Sequence, residues 1–265
     1  MPRILTLLVV ASLLLTACHK APPAANQPVS VDTTAKLGDG AYLLSSATVT
    51  TPTETSTFNR AQMKIYARQR FAYAFFNQRT NSVDAGAGAT EWRNGILIET
   101  PLANHAGAVS GFRFELDVQP NEQGFDQAIN NMRSEDGLSY DLRETWQRIS
   151  NTASRFDGLW QLQSQQIDGE QRKDAIDEVK MIGGGHYIWF HHYDIDGQQQ
   201  QHFAYGELVV QPAPTAAVVD TTLQSSYPNR IGQSKALSLT LDAGDRLIET
   251  FSRAQSTVTK TYVRL

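Results

Sequence analysis

Asp157-Gly158-Leu159-Trp160-Gln161-Leu162-Gln163-Ser164 repeats, 118 residues later, the pattern of Asp39-Gly40-Ala41-Tyr42-Leu43-Leu44-Ser45-Ser46. Working outward, the echo continues with an offset of 116. Lys64 pairs with Lys180, Phe71 with Tyr187 and Tyr73 with Trp189. The same offset aligns Glu144-Thr145-Trp146-Gln147-Arg148-Ile149 with Lys260-Thr261-Tyr262-Val263-Arg264-Leu265. Two residues of slippage in one early loop account for the change. Matches at both ends and in the middle, all in order, mark a tandem duplication of units of about 110 residues. The joint lies near Ser150 to Arg155.

Each unit reads as strand. Gln62 to Phe76 and Asp177 to Tyr193 are rich in aromatic and β-branched residues between turn formers. Asp194-Ile195-Asp196-Gly197 is a hairpin turn signal. Leu237-Ser238-Leu239-Thr240-Leu241 alternates as a half-buried strand does. Asp242-Ala243-Gly244-Asp245 then turns the chain into Arg246 to Phe251, and Thr257 to Leu265 forms the last strand. About eight strands per unit predict an antiparallel meander. One helix is expected over Asn121 to Glu135, because Phe125, Ile129 and Met132 fall at i, i+4 and i+7. It could be a lid inserted before the last strand of unit one, or it could pack on the outside.

A closed antiparallel barrel makes its first and last strands neighbours. A ring near the start of strand one can then be covered by a long side chain from the last strand. Trp160 and Arg264 hold those positions in unit two, as do Tyr42 and Arg148 in unit one. A guanidinium over such a ring gains roughly 0.5–2 kcal/mol. Gly158-Leu159-Trp160 with a late Arg264 resembles the signature of the lipocalin and calycin superfamily, and Gly40-Ala41-Tyr42 with Arg148 is its partner, with Tyr for Trp. Lys180-Met181-Ile182 and His186-Tyr187-Ile188-Trp189 also resemble a core segment of bacterial lipocalin-like envelope proteins. The resemblance implies an all-β protein of two tandem lipocalin-like barrels, over residues 38–150 and 156–265. The lack of a disulfide and the short loops set the chain apart from secreted lipocalins.

The N-terminus reads as an address. Met1-Pro2-Arg3 puts one positive charge before the apolar run Ile4 to Leu15. A membrane span needs about 20 apolar residues, so this is a signal-peptide core. Leu15-Thr16-Ala17-Cys18 resembles the bacterial lipobox, and Cys18 is the chain's one cysteine. The resemblance implies removal of residues 1–17 and lipidation of Cys18 with two or three acyl chains, giving firm anchoring. In Gram-negative lipoproteins an Asp after that Cys signals inner-membrane retention. His19 therefore implies the outer membrane, facing the periplasm. Residues 18–37, rich in Pro, Ala, Thr and Val, read as a tether.

A single Cys excludes an intrachain disulfide framework and a Cys-cluster zinc site. A net charge of −4 argues against nucleic acid as a partner. The best candidates for a ligand site lie on one aromatic strand of each unit. Phe71, Tyr73 and Phe75 share a face opposite Ala72 and Ala74, and the equivalent face of unit two carries Tyr187, Trp189 and His191. Such a face suits a small hydrophobic or amphipathic molecule; it equally suits a packed core.

His186, His191, His192 and His202 crowd one hairpin, but His191 points away from His186 and His192, and no metal or cofactor is expected. Asp194 and Asp196 lack the rest of a calcium loop. Gly183-Gly184-Gly185 opens a strand and lacks the phosphate-loop ending, so it reads as a hairpin. The acid pairs Asp177-Glu178 and Asp242/Asp245 read as solvated turns, and no nucleophile motif is present. The leading expectation is a lipid-anchored, non-enzymatic envelope protein that binds an amphipathic ligand in a barrel. A protein-interaction lipoprotein with packed barrels is the alternative. An enzyme with a barrel-mouth site is the third.

Overall fold

Turn residues punctuate the chain every few positions, and the structure is strand almost throughout. The computed structural model describes residues 37–133, 137–172, 176–211 and 217–265. Cys18, the expected signal segment and nearly all of the expected tether lie outside the described residues. Strands of the first repeat are β1 Gly40–Thr50, β2 Thr55–Phe58, β3 Gln62–Ala67, β4 Arg70–Asn77, β5 Ser82–Arg93, β6 Ile96–Asn104, β7 Gly107–Ala108, β8 Phe114–Asn121, β9 Gly124–Arg133 and β10 Ser139–Ser150. Those of the second are β11 Gly158–Ile167, β12 Glu170–Gln171, β13 Asp177–Gly183, β14 His186–Ile195, β15 Gln198–Val210, β16 Ala217–Ser225, β17 Ser234–Leu241, β18 Leu247–Arg253 and β19 Ser256–Arg264. A 3₁₀ turn, Pro228–Arg230, follows β16.

In each repeat eight strands close into an antiparallel barrel, consistent with a lipocalin-like fold. Closure comes from β10 pairing with β1 and from β19 pairing with β11. β2, β7 and β12 are short additions on β1, β6 and β11. The registers confirm the repeat: Tyr42 opposes Lys64 and Arg148, just as Trp160 opposes Lys180 and Arg264. The two-residue slip therefore falls between β1 and β3. The offset is not constant afterwards. Phe71 opposes Gly88 and Tyr187 opposes Gly206, which restores 118 there before the last strand returns to 116.

The expected helix over Asn121 to Glu135 is instead the hairpin β8–β9. Residues 134–136 lie outside the described ones. Phe125 opposes Trp146 in the barrel, with Gln127 and Ile129 following at strand spacing. A bulge then shifts the register against β10, with Asn131 at φ +58°. One extra residue swaps the faces of a strand. Met132 thus returns to the side of Ile129, and a bulged strand imitates helical spacing.

Both barrels lie in one compact unit, Thr34–Leu265. Alternation along β3–β5 and β13–β15 sends one set of side chains into each barrel and the other set into a shared apolar core between the barrels. Ala72 and Ala74 on β4, and Ile188 and Phe190 on β14, belong to that shared core. Phe71, in turn, points into barrel one, and Tyr187 and Trp189 into barrel two. Gly184 and Gly185 form the tight β13–β14 turn, at φ +60° and +68°. A Cβ on Gly184 would lie 2.4 Å from the Ala41 nitrogen, so the turn packs directly on the start of β1.

Candidate functional site

Lys64 and Lys180 sit at the same position of β3 and β13, on strands buried on both faces. A buried ammonium requires an opposite charge and hydrogen-bond acceptors. Each barrel supplies them from equivalent strands. In barrel one Lys64 Nζ lies 2.8 Å from Glu99 and donates to Gln127 Oε1 at 3.3 Å. Gln127 donates to Glu144 at 2.6 Å, Tyr66 donates to Glu99 at 2.6 Å, and Arg60 lies 3.7 Å from Glu144. In barrel two Lys180 pairs with Glu249. Lys260 lies 2.5 Å from Glu178, and Tyr262 donates to Glu178 at 2.6 Å and to Glu249 at 3.0 Å. Lys235 adds a cation 3.4 Å from Asp220.

By register, Gln62, Lys64, Glu99, Gln127 and Glu144 correspond to Glu178, Lys180, Asp220, Glu249 and Lys260. The duplicated core is therefore an ion layer whose signs have diverged while its formal charge, with Arg60 and Lys235 counted, stays balanced in both barrels. Among the described residues, no buried side-chain nitrogen or oxygen lacks a hydrogen-bond partner. Glu178 is not in a solvated turn, as its sequence context suggested. It is 1% exposed on β13 and faces the barrel interior. Asp242 and Asp245 do lie in a turn, where they hold Arg246 and Arg264.

Burial pushes the Glu178 carboxyl up, but Lys260, the His191 hydrogen bond and Lys180 outweigh it and hold the group well below the usual carboxylate range. Burial likewise works against a charged Lys180, yet Glu249 and Glu178 hold its ammonium above the usual range. Glu144 goes the other way: burial raises it beyond what Lys64 and Arg60 take back. The linkage sign for Glu178 follows. Its folded pKa lies below the unfolded value near 4.5, so its contribution is complete above that pH and is lost as pH falls through the depressed value. Denaturant midpoints from pH 7 to pH 3 are therefore expected to decline below about pH 4.5. The decline should be shallower in Glu178→Gln; an identical acid limb in both proteins contradicts the assignment.

The aromatic-strand residues line the interiors beside these layers. Tyr73 donates to Asp84 at 3.2 Å, and Phe75 lies under the Arg60 guanidinium at 3.6 Å. Tyr187 shares a hydrogen bond with Thr222 at 3.1 Å. Trp189 stacks on His191 at 5.0 Å, and His191 contacts Glu178 at 3.3 Å. Tyr193, His202 and Tyr227 continue the stack, with His202 and Tyr227 4.3 Å apart. A void of about 10 Å³ remains beside Lys180, Tyr187, Asp220 and Glu249, room for one water. Among the described residues no three His, Cys, Asp or Glu side chains are grouped to hold a metal ion.

At the opposite end of the alternation, Arg264 stands 4.0 Å over the Trp160 ring and donates to the Asp157 carbonyl at 2.8 Å. Arg148 stands 5.6 Å over Tyr42 and donates to its hydroxyl at 3.3 Å. Composition alone did not reveal the ion layer. Its signal was present: Lys64 and Lys180 recur at one repeat position, each flanked by apolar residues on its strand.

A larger space lies outside the barrels. The linker Ser150 to Phe156 and the end of β15 enclose a cleft of about 880 Å³. Ile182, Leu208, Val209 and Val210 give it an apolar wall, with Val209 54% exposed. Arg155, His186 and Glu207 are its charged or ionisable members. The Arg155 guanidinium rests 4.8 Å over the Phe156 ring. Among the described residues no helix is long and apolar enough to cross a membrane. Compared with known proteins, the chain matches no family model, no curated protein and no solved structure.

Proposed function

We propose that the protein is a lipid-anchored binding protein of the bacterial envelope, held at the outer membrane through Cys18. It takes an amphipathic anion in the cleft between linker and β15, not inside a barrel. The observation that carries this reading is the contrast in space. The void beside Lys180 in barrel two holds about 10 Å³, whereas the outer cleft offers about 880 Å³. Small-ligand sites span roughly 300–1,000 Å³ and are mostly apolar with a few polar groups. An acyl tail would lie along Val209 and Val210, with its headgroup at Arg155. A ligand inside a barrel would have to displace the Lys64 or Lys180 layer. Position supports the reading as well. Ser150 lines the cleft, and its carbonyl packs against Gly40 at the start of β1. A protein tethered at its N-terminus would hold this end towards the membrane.

Titration of purified protein with a fluorescent fatty acid tests it. Saturable binding is expected, weakened at least tenfold by Val209→Glu or Arg155→Glu and unchanged by His191→Ala. Loss of binding in Trp189→Ala with both cleft variants intact would return the site to the barrel. No binding in any form favours the other reading that solid barrels support, a lipoprotein that acts by contact with another protein.

A further inference from the structure

The two repeats meet through the same face. β3 packs on β13, β4 on β14 and β5 on β15, each strand against its own counterpart. An interface built from one patch used twice is the mark of a two-fold dimer. The residues at equivalent positions are not equivalent in size, however. Where repeat one has Ala72, Ala74, Ala85 and Ala87, repeat two has Ile188, Phe190, Phe203 and Tyr205. All eight are buried in the shared core. In the other direction, Gly183 stands at the position of Ala67, and a Cβ on it would lie 2.8 Å from Ile65 Cγ2 and from Ala67 Cβ.

We infer that the shared core is a homodimer interface carried within one chain and since made one-directional: repeat one supplies the sockets, repeat two the knobs, and each face accepts only the other. Two alanine faces brought together would leave voids, which cost stability in proportion to their volume. Two faces bearing Phe190, Phe203 and Tyr205 would overfill the same space. Only the mixed pairing reaches interior packing density. The inference is independent of what the outer cleft binds.

The test uses the full chain with a protease site inserted between Thr152 and Ala153, both exposed in the linker. After cleavage of the folded protein, native mass spectrometry should find the two halves together, one of each. After mixing isotope-labelled with unlabelled cleaved protein, every pair, whatever its label, should hold one N-terminal and one C-terminal half. Halves that part on cleavage, or pairs of like halves, would overturn the inference. Ala74→Phe with Ala85→Phe fills two sockets and should weaken association of the cleaved halves at least tenfold. Should that chain fail to fold, Phe190→Ala serves instead, since it removes a knob that points out of its own barrel. It too should loosen the halves at least tenfold, and unchanged association there would overturn the inference.

Discussion

Lys64→Met should lower the free energy of unfolding by about 3–5 kcal/mol, the cost of removing one member of a buried ion pair. Lys64 is 3% exposed and lies 2.8 Å from Glu99, itself 5% exposed. Methionine fills most of the same volume, so little of the loss comes from packing. What remains is a carboxylate in a low-dielectric interior with the Tyr66 hydroxyl as its hydrogen-bond donor. Adding Glu99→Gln should recover most of the loss, because a neutral amide still accepts from Tyr66 and leaves no orphaned charge. Equilibrium denaturation of the two single variants and the double variant closes the cycle. A Lys64→Met protein as stable as the parent would mean that the layer is hydrated and not sealed. With typical domain stabilities of about 5–15 kcal/mol, the single substitution is large enough to reduce yield of folded protein.

Gly206→Ala is the second large effect. Its Cβ would sit 2.0 Å from the Thr221 carbonyl oxygen, and the equivalent Gly88 meets Thr100 at 2.1 Å. Both contacts are with backbone, which cannot rotate away. Both glycines border bulges, between Tyr205 and Gly206 and between Ala87 and Gly88. Relief of the clash therefore requires either strand separation or loss of the bulge. Loss of the bulge would move the neighbouring strand by one residue and turn its buried face outward. Each substitution should cost about 3 kcal/mol. The expected signature is a lower midpoint with hydrogen exchange raised first along β15 and β16 for Gly206→Ala, and along β5 and β6 for Gly88→Ala. Uniform loss of protection across both barrels would point to a different origin.

The architecture was legible because duplication supplies its own control. Gly158, Trp160 and Arg264 would mean little once, but Gly40, Tyr42 and Arg148 repeat the pattern in the same order. The strand of Phe71, Tyr73 and Phe75 was readable for the same reason, and its two-sided burial explains why alanines alternate with rings. The Asn121 to Glu135 segment misled because periodicity assumes a regular strand, whereas a bulge at Asn131 breaks that assumption. The ion layer was missed because its equivalent members come from four different strands in each barrel. Charged residues also read as surface unless a partner is known, and Glu178 beside Asp177 gave no hint that one faces in and the other out. The outer cleft was invisible because it depends on how the Ser150 to Phe156 linker folds back on β15.

The seam that seals each barrel joins residues about a hundred positions apart, such as Arg148 to Tyr42. Contacts of that separation form late and slowly. Until then two nearly identical pairs of open edges coexist in one chain, and an exposed edge accepts any matching strand. Sign reversal at one position distinguishes them. Were β10 to close the second barrel in place of β19, Glu144 would arrive beside Glu178 and Glu249, where Lys260 belongs. The misassembled barrel would hold uncompensated negative charge in its centre. A single lysine thus proofreads the chain's choice of its own last strand.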